Sequence, residues 1–144
     1  MNVGFAELFI IIFIVAIVYI PQIFFCLTLQ NALKQVNPQM VTLSPGKVWL
    51  LLIPIFSLGW NFYVVIQVRD SLKREYQERK LPEQDDFGFT LGMTMSGLAI
   101  ASVLPIVGVL AGITYLVFWI LYWVKITYHK NNLIAGSLSL NAPE

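Results

Sequence analysis

The sequence predicts an all-α integral membrane protein with four transmembrane helices and a short hairpin between the third and fourth. Three observations carry this. Of 144 residues, 58% are hydrophobic and only 12% are charged, against about 25% charged in a soluble domain. The apolar residues gather in runs of about 20 or more, the length of helix that crosses a hydrocarbon core of about 30 Å. The charges lie almost entirely outside these runs, most densely between Arg69 and Asp86. The length suits one helical unit over residues 1–144, with no separate soluble domain.

The first span covers about 7–29. It opens MNVGFAELF, without a basic start, and shows no A-x-A cleavage pattern, so it reads as a retained helix rather than a signal peptide. Tyr19, Gln22, Cys26 and Gln30 fall on one face. A glutamine amide is disfavoured against lipid, so this face is expected to meet another helix. Pro21 removes one backbone bond and bends the helix.

The second span covers about 47–68. Ser44 is its expected N-cap, and Pro45 suits the first turn. Pro54, Ser57, Gly59 and Asn61 fall near the middle of the crossing. An unpaired polar group in lipid costs several kcal/mol, roughly, so this face must meet protein or a wet cavity. Pro54 is expected to bend the helix and free the Leu50 carbonyl. Asn61 is placed to bond across to Gln22 or Thr94. Trp60 is too deep for the interfacial belt that suits Trp49 and Trp123, and its N–H needs a partner. Beyond the membrane, Asp70/Arg74, Arg74/Glu78 and Glu75/Arg79 are opposite charges four apart. They predict a protruding cytoplasmic extension over about 69–80, ended by Pro82.

Residues 87–127 form an apolar stretch of about forty residues, about 60 Å as one helix. Leu104-Pro105-Ile106-Val107-Gly108 breaks it, giving spans of about 87–104 and 106–127. The alternative is three spans with a re-entrant segment. Gly88, Gly92 and Ser96, then Gly108 and Gly112, place small residues four apart and predict close helix packing, within the chain or between copies. Tyr115, Trp119, Tyr122 and Ile126 share a face of the fourth helix. Four crossings put Arg69, Lys73, Arg74, Arg79, Lys80, Lys125 and Lys130 on the side of the N-terminus, and only Lys34 and Lys47 opposite. The basic side is cytoplasmic, so both termini are predicted inside.

No catalytic constellation is visible. There is no paired intramembrane carboxylate and no histidine beside a nucleophile. Cys26 and His129 are each the only residue of their type, so neither a disulfide, a metal site nor a cofactor site is expected. A net charge of +1 gives nucleic acid no electrostatic support. The apolar runs hold no ionisable group of the kind proton pumps require. The expected role is a non-enzymatic accessory, scaffold or assembly subunit. Its partners would be the lipid bilayer and other membrane proteins or copies of itself. The candidate intramembrane polar contacts are Gln22, Pro54, Ser57, Asn61 and Thr94. The alternative is a small oligomeric channel or transporter for a neutral or weakly polar solute, lined by Gln22, Asn61 and Thr94. A lipid-handling protein is the third reading.

Asn31-Ala32-Leu33, Ser44-Pro45-Gly46, Trp49, Pro54, Trp60, Val68 and Ser71 form a recognisable block. It resembles a group of bacterial multi-span membrane proteins with N-A-L, P-G-x-x-W and I-P-x-x-N-L-x-W elements and a domain of unknown function. Ser57 stands where that pattern prefers asparagine. The similarity covers about a third of the chain, from Asn31 to Leu72. It implies a multi-helix protein of the bacterial cytoplasmic membrane and supplies no catalytic residue.

Overall fold

The computed structural model describes residues 4–82 and 85–140, whose regular structure is all helical, without strands. The elements are α1 (Phe5–Lys34), a 3-10 segment η1 (Pro45–Leu52), α2 (Pro54–Glu78), α3 (Phe89–Ala101) and α4 (Gly108–Leu140). Met1–Val3, and Glu83 of the charged loop, lie outside the described residues.

α1 is longer than the predicted 7–29, about 45 Å at 1.5 Å per residue. Only its C-terminal part is packed. Phe25, Cys26, Leu29, Ala32 and Leu33 are buried, whereas most side chains from Phe5 to Phe24 are exposed. Pro21 sits inside the helix.

The predicted second helix is two pieces that run in opposite directions. η1 runs back along α1, with the Cys26 thiol 3.7 Å from the Val48 carbonyl and the Trp49 indole donating to Gln30 Oε1 at 3.2 Å. At Ile53 the backbone is extended, with φ −84° and ψ 110°, and α2 begins at Pro54. Proline has no amide to lose at the first helical position and its φ is already helical. Pro54 therefore starts a helix instead of bending one, and the Leu50 carbonyl is taken by the Ile53 amide at 3.2 Å. The return is fixed by Trp60, whose indole donates to the Lys47 carbonyl at 3.1 Å. Ser44 makes no side-chain cap bond.

α2 ends in a Schellman motif: the Leu81 amide donates to the Tyr76 carbonyl and the Lys80 amide to Gln77. Lys80, at φ 52°, occupies the left-handed position usually given to glycine. The expected protruding extension is packed instead, with Ser71, Leu72, Glu75 and Tyr76 buried. Of the three charge pairs expected along it, only Glu75–Arg79 forms among the described residues. Arg69 pairs with Asp70 and lies 4.7 Å from the Phe89 ring centre.

α3 is shorter than the predicted 87–104. Its 13 residues span about 20 Å. Gly88 enters it at φ 76°, and the Asp86 carboxylate accepts the Gly88 and Thr90 amides at 3.1 and 2.8 Å. The turn after Ala101 closes tightly because Gly108 lacks a Cβ; one there would lie 2.6 Å from the Ser102 carbonyl oxygen. α4 then runs well past the predicted end at 127.

α3 packs against both α2 and α4. At the crossing, a Cβ on Gly92 would lie 2.6 and 2.7 Å from the Val65 methyls and 2.9 Å from the Tyr122 ring. α1 joins through Phe25, whose ring centre lies 5.4 Å from Trp119 and 6.0 Å from both Tyr122 and Trp123.

The ends of the molecule differ. The 35–44 connection touches the C-terminal part of α2: the Asn37 amide donates to Glu75 Oε2 at 2.7 Å, and Thr42 Oγ1 to the Gln67 carbonyl at 2.9 Å. Four crossings had placed those two segments on opposite faces. They lie together at one end of the molecule because η1 and α2 form a hairpin rather than one continuous helix. The start of α3 and the end of α4 lie at this charged end too. The turns at Ile53 and at 102–107 lie at the other end, uncharged, with Ile55 and Ile106 almost fully exposed. Two helices, α1 and α4, are long and apolar enough to cross a membrane.

Candidate functional site

Two constellations stand out, one at the charged end and one in the apolar half. At the charged end a hydrogen-bonded chain links α2, the segment before α3, and α4. His129 Nε2 lies 3.1 Å from Asp85 Oδ1, and Nδ1 lies 3.0 Å from the Tyr76 hydroxyl. A carboxylate can only accept, which assigns the imidazole proton to Nε2 and makes Nδ1 the acceptor of the Tyr76 O–H. Lys125 pairs with the second Asp85 oxygen, and Asp85 also accepts the Phe87 amide at 2.7 Å.

Burial pushes the Asp85 carboxyl up, but the Lys125 bond, the Phe87 amide and the neighbouring positive charges together hold it below the usual carboxylate value. Asp86 is held low chiefly by its Thr90 bond. His129, beyond the apolar part of α4, is depressed by burial, which outweighs the attraction of Asp85. Its neutral form is therefore the resident one at pH 7. Each group in this chain is engaged by another member, so it works as a clamp holding the 85–88 segment between α2 and α4. A pocket of about 330 Å³ opens beside Tyr76 and His129, walled also by Leu81, Tyr128 and Asn132.

A second clamp lies next to it. Arg79 donates to Glu75 Oε1 at 2.6 Å, to the Leu133 carbonyl at 2.9 Å and to the Gln35 carbonyl at 2.9 Å. One guanidinium thus ties the end of α1 to α2 and α4. Glu75 is almost fully buried, and the Asn37 amide satisfies its other oxygen. Among the described residues no three His, Cys, Asp or Glu side chains converge as metal ligands.

In the apolar half, Gln22, Pro54, Ser57 and Asn61 line one cleft of about 160 Å³, together with Tyr19 and Tyr115. Four of the five expected polar contacts meet there. Thr94 does not; it is exposed on α3 and its hydroxyl bonds the Thr90 carbonyl at 2.8 Å. Ser57 is satisfied by the Pro54 carbonyl at 2.7 Å. The Asn61 amide bonds neither Gln22 nor Thr94; it makes no side-chain hydrogen bond among the described residues.

The small residues lie inside the chain's own packing. Gly92 and Ser96 are buried, with the Ser96 hydroxyl on the Gly92 carbonyl at 2.8 Å. Gly88 faces Tyr122 and Lys125, while Gly108 and Gly112 face Ser102. Trp119 Nε1 and the Tyr122 hydroxyl are buried without a hydrogen-bond partner among the described residues. The Tyr76–His129–Asp85 chain escaped the sequence reading because its members are 53 and 44 residues apart. The one signal available was a lone histidine one turn beyond Lys125, on the face of Tyr122 and Ile126 that the apolar pattern marks as buried. No family model, no curated protein and no solved structure matches this chain.

Proposed function

We propose that this chain is a non-enzymatic accessory, scaffold or assembly subunit of the bacterial cytoplasmic membrane, with all four apolar segments in the bilayer. α1 crosses fully, while the η1–α2 and α3–α4 hairpins enter from the charged end. Eight of the nine lysines and arginines fall in the segments at the charged end, Lys34 at the end of α1, five from Arg69 to Lys80 at the end of α2, and Lys125 and Lys130 towards the end of α4, with Lys47 on η1; this bias favours the cytoplasmic face. The N-terminus of α1 then lies on the other face, unlike the arrangement with both termini inside.

One observation carries the subunit role. The turns at Ile53 and 102–107 are uncharged and exposed, and α3 brings the second only about 20 Å from the charged end. A hydrocarbon core is about 30 Å thick. The opening amides of α2 and α4 lie at these turns, and first-turn amides have no acceptor within their own helix. Irregular backbone at membrane depth is tolerated where protein or a wet cavity covers it. A second membrane protein, or a second copy, supplies that cover. Native mass spectrometry after gentle extraction tests this, with photo-crosslinkers at Ile55 and Ile106. A stoichiometric partner or dimer crosslinked through those positions is expected. A lone monomer whose two turns crosslink only to lipid overturns the proposal.

A further inference from the structure

The cleft between α1 and the η1–α2 turn holds a polar side chain with no hydrogen-bond partner among the described residues. Asn61 is only 7% exposed. Its side chain bonds nothing among the described residues, and its amide atoms are not sealed in the packing. It lines the cleft together with Gln22, Tyr19 and Tyr115, among the apolar Val18, Leu51 and Leu52. An amide in that position inside a bilayer costs several kcal/mol, roughly, unless something hydrogen-bonds it.

The chemistry of the lining defines the occupant. Two amides and two phenols offer several donors, and no lining residue is charged. A charged headgroup would find no counter-ion there. Gln22 is twelve residues from Lys34 along α1, or about 18 Å. That is deep in a bilayer whose hydrocarbon core is about 30 Å thick. The volume, about 160 Å³, is below the roughly 300–1,000 Å³ of pockets that enclose a whole ligand. A head group fits, and its tail would lie along the exposed apolar flank of α1 near Ile14 and Val18.

We infer that this cleft binds the neutral hydrogen-bonding head of a membrane-soluble lipophile, with a carbonyl-bearing ring such as a quinone preferred because the wall is rich in donors. The inference rests on the bilayer placement proposed above, not on the accessory role. The test uses full-length protein in nanodiscs, titrated with decylubiquinone as the carbonyl probe and geranylgeraniol as the hydroxyl probe. Saturable one-to-one binding is expected, tighter for the quinone. Asn61→Leu and Gln22→Leu each weaken it at least tenfold, while Thr94→Val, outside the cleft, leaves it unchanged. Asn61→Leu removes an unpaired amide, so its unfolding midpoint stays level or rises, which separates lost binding from lost fold. Binding of geranylgeraniol alone assigns the site to a lipid alcohol and overturns the carbonyl preference. The inference fails if neither probe saturates the wild type, or if both leucine variants bind as the wild type does; the cleft then holds only water. Protein that fractionates with membranes yet binds neither probe refutes this inference alone. Protein found in the soluble fraction refutes the placement as well.

Discussion

Gly92→Ala is the sharpest single test of the packing. The new methyl would lie 2.6 and 2.7 Å from the Val65 methyls and 2.9 Å from the Tyr122 ring, all inside normal contact distance. Neither neighbour can step aside. Val65 is 2% exposed and Tyr122 1%, and a β-branched side chain has essentially one rotamer in a helix. Overpacking of this kind costs about 1–3 kcal/mol. At roughly 3 °C per kcal/mol for a chain of this size, the unfolding midpoint should fall by about 3–9 °C. Gly97→Ala is the matched control, since a Cβ there meets nothing within 4 Å. It gains about 1 kcal/mol of helix propensity and should hold or raise the midpoint. Cys26 supplies the assay. It is the sole cysteine in the sequence and fully buried, so a thiol-reactive dye in detergent reports unfolding without labelling. A Gly92→Ala protein as stable as wild type would refute the α2–α3–α4 crossing. So would a Gly97→Ala protein that loses as much.

Three further perturbations probe the charged end. Arg79→Ala leaves the Glu75 carboxylate buried with only the Asn37 amide; stranding a buried charge costs about 3–5 kcal/mol, and Arg79→Lys should recover little of it because one ammonium cannot reproduce the fork. An unfolding midpoint within error of wild type for Arg79→Ala would contradict the three-way tie. Stability should also decline with acid, followed by intrinsic tryptophan fluorescence. The folded His129 value lies below 6.5, so the unfolded chain binds that proton first, and stability is complete above pH 6.5 and erodes as pH falls toward the folded value. Asp85 and Asp86 have folded values below 3.8; their contribution is complete above 3.8 and disappears as pH falls through the folded values. His129→Gln should flatten the upper part of the profile and Asp85→Asn the lower; a protein that gains stability between pH 7 and 5 would contradict the His129 assignment, and one whose stability does not fall below pH 3.8 the Asp85 and Asp86 assignment. Finally, Lys80→Gly relieves a left-handed backbone at φ 52° and should stabilise by about 0.5–1 kcal/mol; a loss of stability there would mean that the Lys80 side chain outweighs the strain.

The helical class and the break near Pro105 were legible because both follow from local composition. So was the inward face of Tyr19, Gln22, Cys26 and Gln30, since a 3.6-residue period survives whatever the helix packs against. The direction of the chain was not legible. Residues 48–68 run on without a charge, and hydropathy does not register that the chain turns back at Ile53. Pro54 fits both a kink and a first helical position, and only the extended Ile53 backbone decides between them. That one ambiguity decides whether the 35–44 connection lies at the same end of the molecule as the C-terminal part of α2, and the proposed placement of the N-terminus follows from it. The fate of residues 69–80 was hidden for the same reason. Their charge pattern suits a solvated helix, but Arg79 is spent on the carbonyls of Gln35 and Leu133, contacts that exist only once α1 and α4 end nearby. Asn61 was recognised as needing a partner, and that its side chain finds none among the described residues only the packed cleft could reveal.

The hairpin topology is tested most directly by cysteine accessibility in sealed membrane vesicles, in a Cys26→Ala background. Gln39, Gln77 and Glu7 are all exposed, so each tolerates a reporter thiol. Gln39→Cys and Gln77→Cys should react with a membrane-impermeant reagent from the same, cytoplasmic face, and Glu7→Cys only from the other. Reaction of positions 39 and 77 from opposite faces would contradict the hairpin and restore a full crossing between them.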